Sequence, residues 1–387
     1  MSDDEKVKKK KHRLLSVILS LVFLAVVALI VLFLLPGDRL GISRITGMFS
    51  PQATEFTVSE LAFDVGRNRQ FSFAEGAVAA AGSLGIQVLG SDGRETLRDS
   101  FRMTRPAIVE AGGNFLAFDI GGLALRVFNA LQIYSSLETE SEIVSASINK
   151  NGWFCVVTQQ SGGYRCAVTV YNGIGVAVYK VYLRSGFVLS AYLSPDNKNL
   201  AILNLTSTGS RVTFYKGIDT DVVEPDYFYD FPNGLIIDIS FISNEDILAI
   251  SMHDLQLIDI NGSSTVINSF SDKRLGGYTI SDKFIALHLY DYGIGYSGRL
   301  VSLSYNGTIL GEMDLNYEIF SMASFDNYLT ILRSDGIAFF DVNLNEFPVS
   351  GENVSAAATS SVLALGEGLA LATSDHSAVL VRRLQDS

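Results

Sequence analysis

The sequence predicts an all-β protein: a β-propeller of eight blades, with seven as the competing count, preceded by one N-terminal transmembrane helix. Three observations carry this. A phrase of short strands and tight turns recurs along the chain. Its hairpin glycines Gly173, Gly217, Gly262 and Gly307 fall every 44 or 45 residues, and beyond residue 53 no amphipathic helix period is found. A period of about 40 to 45 residues with four short strands per unit marks a propeller blade, because a four-stranded sheet cannot bury both faces alone and must stack on neighbours around a ring.

Residues 1–13, MSDDEKVKKKKHR, form a basic tail with six Lys or Arg and three acids. Residues 14–35 contain no charge and only two serines, which at helical rise spans roughly 33 Å and predicts a signal-anchor helix. A cleaved signal peptide would have a shorter apolar region of about 7 to 15 residues and a small-residue cleavage site. Lys8, Lys9, Lys10, Lys11 and Arg13 stand before the helix, while Asp38 and Arg39 nearly cancel after it, so the positive-inside bias places the N-terminus in the cytoplasm and the rest outside. Residues 36–53 read as a juxtamembrane linker, and 54–387 as an extracytoplasmic propeller at the cell membrane.

Outside the tail the chain has 23 basic and 38 acidic residues, a net charge of −15. Such a surface argues against nucleic acid as a partner, since phosphate neutralisation needs basic side chains. Eight units can be read. The clearest begin at Lys198, Asp246, Lys283 and Asn327, and weaker copies begin at Gly76, Asn114, Gly152 and Gly368. Gly93 and Asn343 extend the glycine series at looser spacing. The last unit supplies only three strands, so the segment TEFTVSELAFDV from Thr54 is expected to provide its outer strand and zip the two ends of the chain together.

By this architecture the chain resembles the propeller superfamily in its WD40-like and quinoprotein-like forms over about residues 54–383. The basic tail, single anchor and degenerate propeller together are similar to a family of uncharacterised bacterial envelope proteins. Repeated Gly-His and Trp-Asp signatures are absent, and Trp153 is the sole tryptophan. The resemblance therefore implies fold and topology rather than a catalytic site.

The turns between second and third strands should share one face, carrying Asp119, Ser161, Thr208, His253, Asp254, Asp291, Asp335, Asp375 and His376. These acids read either as a ring for cations or cationic partners, or as ordinary turn formers. The enlarged turn YDYGIGYSG adds Tyr290, Tyr292 and Tyr296 to Asp291, a set that could stack on a sugar or grip a peptide. Its Gly293, Gly295 and Gly298 match the dinucleotide spacing, yet RLVSLSYNG after them alternates as a strand, whereas a phosphate site needs a helix there. PDYFYDFPN from Pro225 reads as an aromatic link between blades. Arg94, Arg98, Arg102 and Arg105 form a basic cluster, either pairing with Glu95 and Asp99 or meeting anionic headgroups.

Cys155 and Cys166 fall on consecutive strands of one hairpin, open to a disulfide or to two buried thiols. Two cysteines without a neighbouring histidine cannot complete a zinc set, no sequence calls for a metal or cofactor, and no nucleophile motif adjoins His253, His288 or His376. The expected function is a noncatalytic binding or scaffold module for an envelope protein, peptide or cell-wall glycan. The alternative is a glycan hydrolase or lyase with a carboxylate and tyrosine site at the propeller mouth.

Overall fold

A computed structural model describes residues 59–382 apart from 219–223, 233, 294, 348–353, 355–357 and 376. The anchor, basic tail and linker lie outside the described residues. Among those described, no helix is long and apolar enough to cross a membrane.

Eight four-stranded antiparallel sheets follow one another along the chain. Lettering the strands of each blade A to D in chain order, blades 1 to 7 span residues 70–100, 106–138, 143–183, 187–232, 236–269, 273–315 and 319–347. Blade 8 takes strands A to C from residues 361–382, and its D strand is Ser59–Leu61, paired Ser59↔Leu380 to Leu61↔Ala378. The ends are thus zipped as the incomplete last unit requires, and the count is eight.

The A strands of most neighbouring blades lie against one another, so they line the axis, and the D strands form the rim. Burial follows. Second and third strands such as Ala77–Gly82 and Gly85–Leu89 are buried throughout, which explains their unbroken apolar runs. Outer strands such as Glu95–Ser100 alternate. There is no single core. Eight apolar clusters form, one at each interface between consecutive blades; that between blades 8 and 1 combines Leu365, Leu371 and Ala378 with Val78, Ala80 and Leu89. Here Gly82 is required by space, since a Cβ would sit 2.2 Å from the Val65 carbonyl oxygen of the closing link.

The periodic glycines sit in the C–D turns. Gly93, Gly217, Gly262 and Gly307 have positive φ, the conformation in which glycine has no steric penalty. Blade 3 turns instead at Gly175, φ 80°, and blade 7 at Leu344, φ 63°. Leu344 adopts this unfavourable backbone while its side chain is buried between blades 6 and 7. The seventh unit is spaced differently because its strands Ile319–Phe325, Tyr328–Arg333 and Gly336–Asp341 are joined by two-residue turns.

Candidate functional site

A–B and C–D turns share one face of the ring, and B–C turns share the other with the links between blades. Of the acids placed on the B–C face, all those described lie in B–C turns or at the strand ends that flank them, but four are already engaged. Asp119 is buried and accepts the backbone N–H groups of Thr104 and Arg105 at 2.8 and 2.7 Å. Asp254 accepts the Ser251 hydroxyl at 2.6 Å and the Gln256 amide at 3.1 Å. Asp335 lies 2.7 Å from Arg333. Asp291 takes the Lys273 ammonium on one oxygen at 2.5 Å and the Ser297 hydroxyl on the other at 2.8 Å, and the Lys273 contact holds its carboxyl below the usual range. These carboxylates fasten turns. Asp375 is exposed, and His376 lies outside the described residues.

The enlarged turn divides in two. Tyr290 is the next-to-last residue of the B strand Ile285–Asp291, with its ring over Gly276, where a Cβ would meet it at 2.5 Å, and 4.1 Å from the His288 ring. Its role is packing. Tyr292 and Tyr296 are 65% and 49% exposed, and a Cβ at Gly293 or Gly295 would meet nothing within 4 Å. Gly298 opens the C strand Gly298–Leu303, so no helix N-terminus follows the three glycines. His288 itself is buried, its Nε2 without a hydrogen-bond partner, and burial lowers its pKa to about 4.

The A strands hold a feature that no residue count reveals. In blades 3 to 7 the pairing of A with B slips by one residue near the start of A, leaving Val144, Leu189, Ile237, Gly276 and Phe320 as bulged residues. A bulge re-aims side chains. Here it occurs where the innermost strand leaves the B–C face, at the mouth of the axial channel. Leu189 and Phe320 are 39% and 49% exposed, and Phe187, Leu235 and Met252 stand exposed near them on the same face.

Deeper along the axis, Asp238 of blade 5 accepts the hydroxyls of Tyr192 from blade 4 at 3.2 Å and Tyr278 from blade 6 at 3.1 Å. Burial raises all three pKa values. The one sequence signal was a lone acid inside IIDISF. On the opposite face, every blade but the third supplies an acid at or beside its A–B turn: Glu75, Glu110, Asp196, Glu245, Asp282, Asp326 and Glu367. From the exception, Lys150 reaches Asp282 of blade 6 at 2.6 Å.

Three further sequence readings are decided. Cys155 pairs with Val170 and Cys166 with Gln159, four residues apart along the ladder and so roughly 13 Å at strand rise. No disulfide joins them; both are buried thiols. The Cys155 thiol contacts the Ala191 carbonyl at 2.9 Å and the Ser147 hydroxyl at 3.1 Å, and burial pushes its pKa up to about 12. Second, Tyr227–Pro232 is no link but the D strand of blade 4, held by Arg211 on Asp230. Tyr229 and Phe231 pack inward while Tyr227 and Phe228 are exposed. Third, Arg98 pairs with Glu95 and Asp64, and Arg94 with Asp92, but Asp99 belongs to Arg126.

The profile of a family of unknown function, DUF5711, matches residues 55–346. The chain belongs to this family. The DUF5711 match takes in the closing strand and blades 1 to 7 but stops before blade 8. No curated protein matches the sequence. Similar solved structures include BamB from Moraxella catarrhalis, with 14% identity, 86% of this chain and 98% of that one covered, and a TM-score of 0.50. Saccharomyces cerevisiae Sqt1 gives 10%, 85%, 97% and 0.54, and the WD40 domain of SCAP from fission yeast 14%, 85%, 98% and 0.54. At such identities these likenesses show that the DUF5711 chain has the WD40-like propeller fold, and nothing more specific.

Proposed function

We propose that this propeller is a noncatalytic binding module that docks an envelope protein or peptide on its B–C face. In this proposal residues 14–35 hold it to the cell membrane with the N-terminal tail in the cytoplasm. The observation that carries the reading is the exposure of Phe187, Leu189, Leu235, Met252 and Phe320 on that face; of the five bulged residues Leu189 and Phe320 stand in solvent, while Val144 and Ile237 pack between blades and Gly276 has no side chain. Large apolar groups gathered on one rim mark contact surfaces, and a rigid ring holds them in fixed register. An enzymatic glycan site would need two carboxylates at about 5 to 10 Å, whereas Asp119, Asp254, Asp291 and Asp335 are each committed to a turn. A sugar stacked on Tyr292 or Tyr296 would likewise find Asp291 occupied.

The D strand Ser59–Leu61 starts at the A–B face, opposite the bulges. A photo-reactive residue placed at Leu189 or Phe320 of the full chain in cells should yield a discrete cross-linked adduct. The same residue at Ile309, which opens the D strand of blade 6 at the other face, should not. Adducts absent from both mouth positions, or equally strong from 309, would overturn the proposal.

A further inference from the structure

The binding-module reading leaves the chemistry of the partner open, and the junction of blades 3 and 4 on the same face narrows it. The B–C turn of blade 3 supplies Tyr164 and Arg165. The link to blade 4 supplies Arg184, and Phe187 opens the next A strand, Phe187–Leu193. Arg184 lies over the Tyr164 ring at 5.3 Å with one guanidinium nitrogen 3.5 Å from its hydroxyl, and Arg165 lies over Phe187 at 5.4 Å. The Tyr164 ring tilts against Tyr182 at 5.0 Å. Phe187 is 65% and Tyr182 46% exposed.

What sets these two arginines apart is that both stack on aromatic rings at one junction between blades. Among the described residues neither forms an ion pair, whereas Arg126, Arg211, Arg299 and Arg333 all rest on carboxylates. On a chain whose charge outside the basic tail is −15, two neighbouring guanidiniums without an acid make a local basic spot. Stacking on an aromatic ring holds a guanidinium in place while its N–H fork stays free for a carboxylate. The approach is open: a Cβ on Gly162 or Gly163 of the same turn would meet nothing within 4 Å.

We infer that this sector docks an acidic peptide segment of a partner protein, with carboxylates on Arg165 and Arg184 and an aromatic or aliphatic side chain on Phe187. Charge complementarity selects the occupant. An acidic segment is repelled by most of this surface and attracted here, which fixes its register. The exposed rings decide between anionic classes: they add apolar area that a peptide side chain covers and that a phosphate headgroup leaves in water. The inference rests on the binding-module reading, and its test separates the two.

A phage-displayed random peptide library is selected on the purified full chain in detergent, with Arg165→Glu/Arg184→Glu and Arg165→Lys/Arg184→Lys run in parallel. Peptides enriched on the wild type should contain acids beside an aromatic or aliphatic residue and should weaken with added salt. They should bind the double Glu variant at least about tenfold less and the Lys variant in between. Equal thermal melts of the variants show that the ring is intact, since both side chains are exposed. Enriched peptides without acids, or acidic peptides that ignore the double Glu variant, overturn the inference while leaving the binding module standing. Peptides selected by no variant overturn both. Flotation with phosphatidylglycerol vesicles that depends on the two arginines, without peptide enrichment, overturns the peptide assignment in favour of a headgroup.

Discussion

His288 shows how a single residue can be conspicuous in the sequence for the wrong reason. As one of few histidines it invites a catalytic role, but its imidazole is 1% exposed with Nε2 unpartnered. Burial lowers its pKa from 6.5 to about 4, so between these values the unfolded chain binds the proton and the folded chain does not. Stability then rises with pH through this window and is lost as pH falls from about 6.5 toward 4, by on the order of 3 kcal/mol in full. Urea titrations should show the midpoint falling over that range, with His288→Leu removing most of the slope; an unchanged slope would contradict the burial. The cysteines were similarly open to two readings, because hairpin register is set by the turn and the two residue numbers alone do not give it. With both thiols buried and Cys155 pushed up to about 12, a thiol reagent at neutral pH should label neither until denaturant is added. Rapid native labelling, or a disulfide in the folded protein, would refute the register.

Elements were legible wherever their chemistry was repetitive. The C–D turns announced themselves through glycine, and Asn172 and Asp259 complete the signal by accepting N–H groups of their own turns. The outer strand of blade 8 was legible from arithmetic, since three strands remained where four were needed. Blade 4 was harder: its D strand, Tyr227–Pro232, passed for a link because Asp226 and Asp230 are mixed with its rings. The bulges were hidden altogether. A one-residue slip changes no composition and no period, only which backbone group pairs with which. The closing strand gives the firmest test at this scale. Deleting Ser59–Leu61 strips the Ala378–Arg382 strand of its partner along Ser59↔Leu380 to Leu61↔Ala378. The variant should melt several degrees lower, on the order of 1 to 3 kcal/mol less stable, with the earliest amide exchange in blade 8. A melt equal to wild type would mean that the ring does not depend on this closure.

At the scale of the whole molecule, the two faces have different characters. The A–B face carries acids from seven blades, one of them paired with Lys150, together with exposed Leu131 and Ile174, and the B–C face carries Arg165 and Arg184 stacked on rings beside exposed Phe187 and Leu189. The acidity was plain in the composition, but its placement was not, because the sequence pointed to aspartates on the B–C face that serve as turn fasteners. The B–C face was legible from strand order, whereas the stacking of Arg165 and Arg184 on rings appears only once the blades are built. Closure of the ring also bears on force. Among the described residues the first strand, Ser59–Leu61, is held at three register positions along one edge. A pull transmitted from upstream is therefore borne first by this short seam, before any other blade is loaded. Tension would part the ring at one known place, making the first strand of the propeller its mechanical fuse.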